Sequence, residues 1–407
     1  MRVISPAPSA GQPAHSNVVG GSTAKLRRLC SASRVEESKR VEADDWNVYA
    51  ATGTALHKIV EIAVDEGLSD QQLFDEFTGV IMERVEITRE HIAGKIIPAL
   101  DYLEMSGIVD CTLRLESRVE FAPEGHKLFP HIPGAFGGTD VAFKQPVTNG
   151  RAGVLDYKFG DGDIISPSDN DQCRFYLVSQ IACGYLPVQE TYEAHIFQPS
   201  TKLRVEEYGS VAHYTLDDLV YFAEDLADAL SSAPEYVTGE HCYRCKGKLT
   251  CAAYKSMLTT INDTDVRGLS ASQLASYRNL VPALEAFIRD VKDACLRNAQ
   301  AGIAIPGWKL EASLGDRTWK DEGTALAALG RLGVPADVRV IKTAMSAPKA
   351  LDYMRGTLLT PPKELSAFEK RHIVRRENGE KLVKARPGED TATALNKLSV
   401  AMRARGY

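Results

Sequence analysis

The stretch that most constrains this chain is Gly153-Val154-Leu155-Asp156-Tyr157-Lys158, a short apolar run carrying an acid and a lysine two residues apart. In a strand, residues i and i+2 share a face, so Asp156 and Lys158 point together while Leu155 and Tyr157 face the other side. A second acid, Asp140, stands upstream in Gly137-Gly138-Thr139-Asp140-Val141-Ala142-Phe143. Downstream, Gln172 and Tyr176 are four apart in a helical pattern and share one helix face. Two strands and a helix therefore gather these polar groups around one small volume.

Singly, each element is weak evidence. An Asp-x-Lys on a strand is often a surface ion pair, and Gly-Gly-Thr-Asp is often only a turn. Their order and spacing suit metal-dependent phosphodiester hydrolysis, in which a divalent cation polarises the phosphoryl oxygen and lowers the pKa of the attacking water. Hard oxygen ligands such as Asp140 and Asp156 suit Mg²⁺ or Mn²⁺. Lys158 beside the ion can orient the nucleophile and offset charge on the phosphate. Gln172 and Tyr176 can hold that lysine or a DNA backbone.

The surrounding pattern predicts an α/β fold with a mixed central sheet flanked by helices. Residues 53–66 have the spacing of an amphipathic helix whose buried stripe is Leu56, Ile59, Val60 and Ala63, with His57 on its border. Read on its own, His57 is more often a packed side chain than a ligand. Helical patterns continue over about 71–107. In 112–121, Leu113, Leu115, Val119 and Phe121 alternate with Arg114, Glu116, Arg118 and Glu120, a half-buried strand. Further strands are expected at 137–144, 152–159, 189–198 and 203–209, and helices at 170–184, 216–230 and 268–300.

Domain limits follow composition. Residues 1–24 read as a flexible leader, 25–260 as the core, 261–304 as a helical connector and 305–407 as a smaller α+β C-terminal region. In this last region helices are expected at 321–331 and 346–356, and a basic hairpin at Asn378-Gly379. From Val338 to Tyr407 there are 15 Lys+Arg against 7 Asp+Glu, so the remainder holds 33 against 47; an acidic body carries a basic tail. Trp308, Trp319 and basic residues such as Arg371 and Lys381 could hold DNA by stacking and phosphate contacts, or the region could recruit a recombination partner. No apolar run nears the roughly 20 residues that span a bilayer, and no secretory signal begins the chain, so a cytosolic protein is expected. No P-loop occurs, so no motor is expected on the chain itself.

Eight cysteines are present, and one set is clustered: Cys242-x-x-Cys245-x5-Cys251, with Cys30 far upstream. In a cytosolic protein such a set reads as metal-binding, through iron–sulfur or zinc. Tetrathiolate zinc sites usually show two Cys-x-x-Cys pairs, and only one is present, which favours iron–sulfur.

Taken together, Gly53-Thr54-x-x-His57, Gly138-Thr139-Asp140, Leu155-Asp156-Tyr157-Lys158 and Gln172-x-x-x-Tyr176 resemble the RecB-like branch of the PD-(D/E)XK nucleases. The cysteine set is similar to the iron–sulfur clasp of AddB-type and CRISPR-associated RecB-like exonucleases, and the layout is similar to that of phage and prophage members over most of the chain. This resemblance implies a restriction-endonuclease-like core and a Mg²⁺- or Mn²⁺-dependent DNA exonuclease serving phage recombination or DNA processing. It implies His57, Asp140 and Asp156 as metal ligands with the backbone carbonyl of Tyr157, and Lys158 as the catalytic lysine. A [4Fe-4S] cluster on Cys30, Cys242, Cys245 and Cys251 is implied, as are DNA and a phage single-strand annealing or recombination protein as partners, in a bacterial cytoplasm. Asp156 departs from the glutamate of many relatives, and either acid binds a metal. The competing expectations are a non-catalytic DNA- or partner-binding protein of nuclease-like fold, and a zinc-stabilised regulatory protein.

Overall fold

A computed structural model describes residues 3–4, 16–39, 47–160, 162–200, 202–262, 264–306, 308, 351, 354–355 and 362–372. In chain order the main elements are β1 (Val3–Ile4), α1 (Ala24–Leu29), α2 (Ser33–Ser38), α3 (Val48–Glu66), α4 (Asp70–Phe77), a small hairpin β2 (Ile81–Met82) and β3 (Val85–Glu86), α5 (Arg89–His91) and α6 (Ile97–Met105). The sheet strands β4 (Thr112–Glu120), β5 (Phe136–Lys144) and β6 (Ala152–Tyr157) follow, then α7 (Asp171–Ala182), β7 (Thr191–Phe197), β8 (Gly209–Thr215) and α8 (Leu216–Ser231). Helices α9 (Ala252–Asn262), α10 (Ala271–Gln300) and α11 (Pro362–His372) complete the described chain.

Five long strands form a mixed sheet in the order β4-β5-β6-β7-β8, with the two-residue β1 added parallel at the β4 edge. The pairs β4–β5, β5–β6 and β7–β8 are antiparallel, and β6–β7 is parallel across α7. All six residues of β6 are buried, as expected of a central strand covered on both faces. On one face Ala142, Val154, Ala194 and Ile196 pack against α7 and α8. On the other, Val141, Phe143, Leu155, Tyr157 and Phe197 pack against α3, α4 and α6. The sequence-based α/β expectation with a mixed, helix-flanked sheet matches this architecture.

Local chemistry sets the elements that carry the site. Helix α3 begins where the Asn47 side chain accepts hydrogen bonds from the Tyr49 and Ala50 amides, and it ends at Gly67, whose φ of 67° suits glycine. Asn170 caps α7 by accepting from the Gln172 and Cys173 amides. These caps fix the register of the helices bearing His57 and Gln172.

Four expectations are corrected. Residues 16–24, grouped with the leader on composition, are packed: Val19 and Ala24 are fully buried. A Cβ on Gly21 would fall 2.4 Å from Tyr176 Cε1, so this segment lies directly against α7. The region 71–107 is interrupted by the β2–β3 hairpin. The strand expected at 203–209 is displaced to 209–215, because Val205–Glu207 forms a short 3₁₀ turn and Tyr208 packs inward. Along 112–121, Leu113 and Phe121 do not share a face: Leu113 joins the α3 side and Phe121 the α7 side. Trp319, the helix at 321–331, most of 346–356 and the Asn378-Gly379 hairpin lie outside the described residues. Of 305–407, the one regular element described is α11. Trp308 is 81% exposed.

A half-buried polar network ties α6 to the sheet. Arg151 forks onto Glu193, with Nε to Oε1 at 2.8 Å and Nη2 to Oε2 at 2.7 Å, and His195 Nε2 lies 2.9 Å from the same carboxylate. His195 Nδ1 in turn meets Tyr102 Oη at 2.8 Å. Burial would raise the Glu193 pKa, but Arg151 and His195 overcome it and hold the carboxyl at about 2 rather than an ordinary 4.5. A depressed carboxyl stabilises the fold fully above its unfolded pKa and loses that contribution as pH falls through the folded one. Glu193→Gln therefore costs about 1–2 kcal/mol at neutral pH, because Arg151 loses its paired carboxylate but stays partly solvated and bonded to the Ser106 carbonyl. In urea titrations the gap between wild type and variant closes as pH falls from about 4.5 to about 2; a gap constant across that range refutes the assignment.

Candidate metal centre

Five elements converge at the C-terminal end of β6. His57 comes from α3, Glu116 from β4, Asp140 from β5, and Asp156 with Lys158 from the end of β6; α7 supplies Gln172 and Tyr176. His57 Nδ1 lies 3.3 Å from Asp140 Oδ2 and 3.8 Å from Glu116 Oε1. Among the described residues, His57, Glu116 and Asp140 are the one group of three potential ligands with donor atoms all within 4.8 Å. Their side chains are 26%, 35% and 11% exposed, so the group is reachable from solvent.

Beside it stands the acid–lysine pair. Lys158 Nζ is 2.6 Å from Asp156 Oδ2, an ion-pair contact without hydrogen-bond geometry, and donates to Gln172 Oε1 at 3.0 Å. Gln172 Nε2 donates to Asp156 Oδ1 at 3.0 Å and to Tyr176 Oη at 2.8 Å. One amide thus presents its carbonyl to the ammonium and its N–H groups to the carboxylate and the phenol, which fixes its orientation. Tyr157 enters through its amide, which donates to Asp140 Oδ2 at 2.7 Å.

Crowding sets the protonation. Burial alone would lower the His57 pKa, but Asp140, Glu116 and Asp156 raise it to about 9. Burial and the Asp140 charge push Glu116 up to about 8. Asp140 is held below the ordinary carboxylate range, because His57 and Lys158 outweigh its burial. Asp156 is raised by burial, with Lys158 opposing. Burial would lower the Lys158 pKa, yet Asp156 and Asp140 raise it, so the ammonium stays charged. With all three carboxyls ionised, as ligands to a metal must be, Lys158 alone does not balance them once His57 gives up its proton to bind. A divalent cation offsets that deficit, and the mixed nitrogen–oxygen donor set fits Mn²⁺ or Mg²⁺.

Of the residues predicted from sequence, His57, Asp140, Asp156, Lys158, Gln172 and Tyr176 come together. Asp156 stands next to the close group rather than within it, and its oxygens face Gln172 and Lys158. The residue that sequence reasoning missed is Glu116, read as one of the outward polar positions of β4. Glu116 has φ 39°, left-handed backbone that costs a non-glycine residue roughly 1–3 kcal/mol and persists where its surroundings enforce it. The ladder pairs Leu115 with Val141 and Ser117 with Thr139 but skips the intervening Glu116/Asp140 pair. Across that gap both strands exchange faces: Leu115 and Val141 lie on the α3 side, whereas Ser117 and Thr139 bond to α7. The kink leaves Glu116 and Asp140 together at the corner, turned toward His57. A small polar Ser117 where the alternation called for an apolar residue was the available signal.

The four cysteines of the second predicted site line one cavity together with Glu36, Tyr236 and His241. Glu36 accepts from Tyr236 Oη at 2.9 Å and Thr250 Oγ1 at 3.2 Å, and Glu37 accepts from the Lys246 amide at 2.9 Å. The Cys30 segment and the Cys242–Cys251 loop are thus held together by α2. A Cβ on Gly247 would lie 2.5 Å from the Glu36 carbonyl carbon, so the close approach requires glycine there. No three of the sulfurs lie within 4.8 Å of one another, so they form no closed tetrathiolate group. A zinc tetrathiolate, with Zn–S of about 2.3 Å, would bring its sulfurs closer than that.

The family model for DUF2800, described as "Protein of unknown function", matches residues 17–386. No curated protein matches the chain at a significant level. Among solved structures, LHK-Exo in complex with dAMP is similar at 14% identity over 45% of this chain and 90% of that one, with a TM-score of 0.22. SSO0001 is similar at 15% identity over 56% of this chain and 97% of that one, with a TM-score of 0.23. Among the described residues no helix is long and apolar enough to cross a membrane.

Proposed function

We propose that this chain, which belongs to the DUF2800 family, is a divalent-metal-dependent DNA exonuclease of the RecB-like PD-(D/E)XK type. The observation that carries the reading is the mixed donor group of His57, Glu116 and Asp140 lying beside a buried acid, Asp156, paired with a partly exposed lysine at the end of the central strand.

His57, Glu116 and Asp140 would hold the ion, with Asp156 adjoining. When bound, a divalent ion polarises a phosphoryl oxygen and acidifies a water. Lys158 stays protonated and presents a fixed ammonium to a phosphate and an attacking water, where it offsets developing negative charge. Gln172 holds that ammonium on one side, and Tyr176 holds Gln172 in turn. The Tyr157 amide keeps one Asp140 oxygen in place. The four-cysteine cavity is read as the seat of an iron–sulfur cluster, whose inorganic core spaces its thiolates more widely than a single zinc ion does. Its role is structural: it joins the start and the end of a core spanning 25–260. The basic C-terminal region, 305–407, supplies further contacts to DNA phosphates.

The test is end-labelled single- and double-stranded DNA incubated with Mn²⁺ or Mg²⁺, wild type beside Asp156→Ala. Metal-dependent release of short products by wild type alone supports the reading. DNA binding without cleavage, or equal cleavage by both proteins, removes it.

A further inference from the structure

Polar side chains are buried behind the metal centre with no part in holding an ion. Ser117, Thr139 and Gln180 are each fully buried, between β4, β5 and α7. Gln180 Nε2 donates to Ser117 Oγ at 2.6 Å and to Thr139 Oγ1 at 3.1 Å, and its Oε1 accepts from Arg114 Nη1 at 3.3 Å. Both amide hydrogens are therefore committed, one to each strand. Ser117 follows Glu116, Thr139 precedes Asp140, and the two are partners across the ladder. A single side chain from α7 thus cross-links the strands one residue from each carboxylate.

This cross-link sits where the backbone most needs holding. Glu116 has φ 39°, and the Glu116/Asp140 pair is absent from the ladder. The face exchange that points Glu116 and Asp140 at His57 requires Ser117 and Thr139 to turn toward α7. Apolar residues there would pack in any register that fills the space. Hydroxyls paired to one amide admit a single arrangement, because a buried hydroxyl left unpaired is costly.

We propose that Gln180 is a positioning residue: by binding Ser117 and Thr139 it holds the β4–β5 kink that brings Glu116 and Asp140 within reach of one metal ion. This rests on the reading of His57, Glu116 and Asp140 as a metal site. Gln180 touches neither ion nor substrate; it acts through the two strands.

The experiment is calorimetric titration of the purified full-length protein with Mn²⁺, without DNA, at a temperature where every variant is folded by circular dichroism. Gln180→Met keeps the length and volume of the side chain and removes the amide. It weakens Mn²⁺ binding by about 10–100-fold, the range seen when groups that orient metal ligands are removed. Ser117→Ala and Thr139→Val each cut one arm, and they weaken binding in the same direction by less. They also keep the test decisive if Gln180→Met fails to fold. In a Glu116→Gln background, Gln180→Met adds little further loss, because its effect runs through the carboxylate already removed. Variants that melt earlier yet bind Mn²⁺ as wild type does overturn the positioning role and leave the metal site standing. A wild type that binds no Mn²⁺ overturns the metal site itself, and the positioning role with it.

Discussion

Asp140→Asn is expected to abolish Mn²⁺ binding and cleavage together, whereas Lys158→Met loses cleavage and keeps the ion. Asp140 is the junction of the site: Oδ2 lies 3.3 Å from His57 Nδ1 and accepts from the Tyr157 amide at 2.7 Å. The asparagine keeps the volume and removes the charge. A ligand is lost, and with it the charge that most strongly raises the His57 pKa. Cleavage should fall by about 10³-fold, the upper end of the scale on which electrostatic stabilisation is lost when a key group is removed. Lys158 faces Asp156 and Gln172, and its ammonium has no lone pair to give an ion. Its replacement by methionine is expected to change Mn²⁺ affinity by only a few-fold and to slow cleavage by about 10²–10³-fold. Calorimetry and single-turnover cleavage on the same preparations separate the two. Equal losses in both variants, or unchanged cleavage in either, contradict the division of roles.

The second large effect concerns the cysteine cavity. Cys30 and Cys242 enclose about 210 residues, and a cross-link over a loop of that size stabilises by roughly 5 kcal/mol in the chain-entropy model. Cys242→Ser should therefore remove the absorption near about 400 nm that thiolate-ligated iron gives and lower the melting temperature by roughly 10–15 °C. The Glu36 and Glu37 contacts across the cavity remain, so the variant still folds. The serine variant of Cys295, which does not line the cavity, leaves colour and melting temperature unchanged. A colourless wild type containing zinc, or a Cys242→Ser melting temperature equal to that of wild type, rules out an iron–sulfur clasp.

Much of the centre was legible because it rests on regular periods. Asp156 and Lys158 share a strand face at spacing two, and Gln172 and Tyr176 share a helix face at spacing four, so a sequence pattern alone juxtaposes them. The α3 stripe placed His57 only on its polar border, where a packed side chain is the commoner reading; its role as a ligand came from the resemblance of Gly53-Thr54-x-x-His57. Glu116 was not legible. Reading β4 by alternation assumes one pleat from end to end, and the φ of 39° at Glu116 breaks it, so that Leu113 and Phe121 end on opposite faces. The same assumption hid the roles of Ser117 and Thr139. Tertiary packing also decided the fate of residues 16–24: their Gly- and Ser-rich composition suits a loose leader, yet Gly21 lets the chain approach the Tyr176 ring more closely than a side chain would allow. The β8 strand was misplaced because Gly209–Thr215 is a poorly apolar edge strand, whereas the preceding Leu203 and Val205, two residues apart, mimic a strand alternation while packing beside a turn.

The centre is defined by one group of donors, and locating an ion there tests it most directly. In crystals of the wild-type protein soaked with Mn²⁺, anomalous scattering should show a peak bonded to His57 Nδ1 and to carboxylate oxygens of Glu116 and Asp140, at about the 2.0–2.2 Å typical of such ligands. A peak ligated elsewhere, or none at this corner at saturating Mn²⁺, would contradict the assignment of these three residues as the metal site.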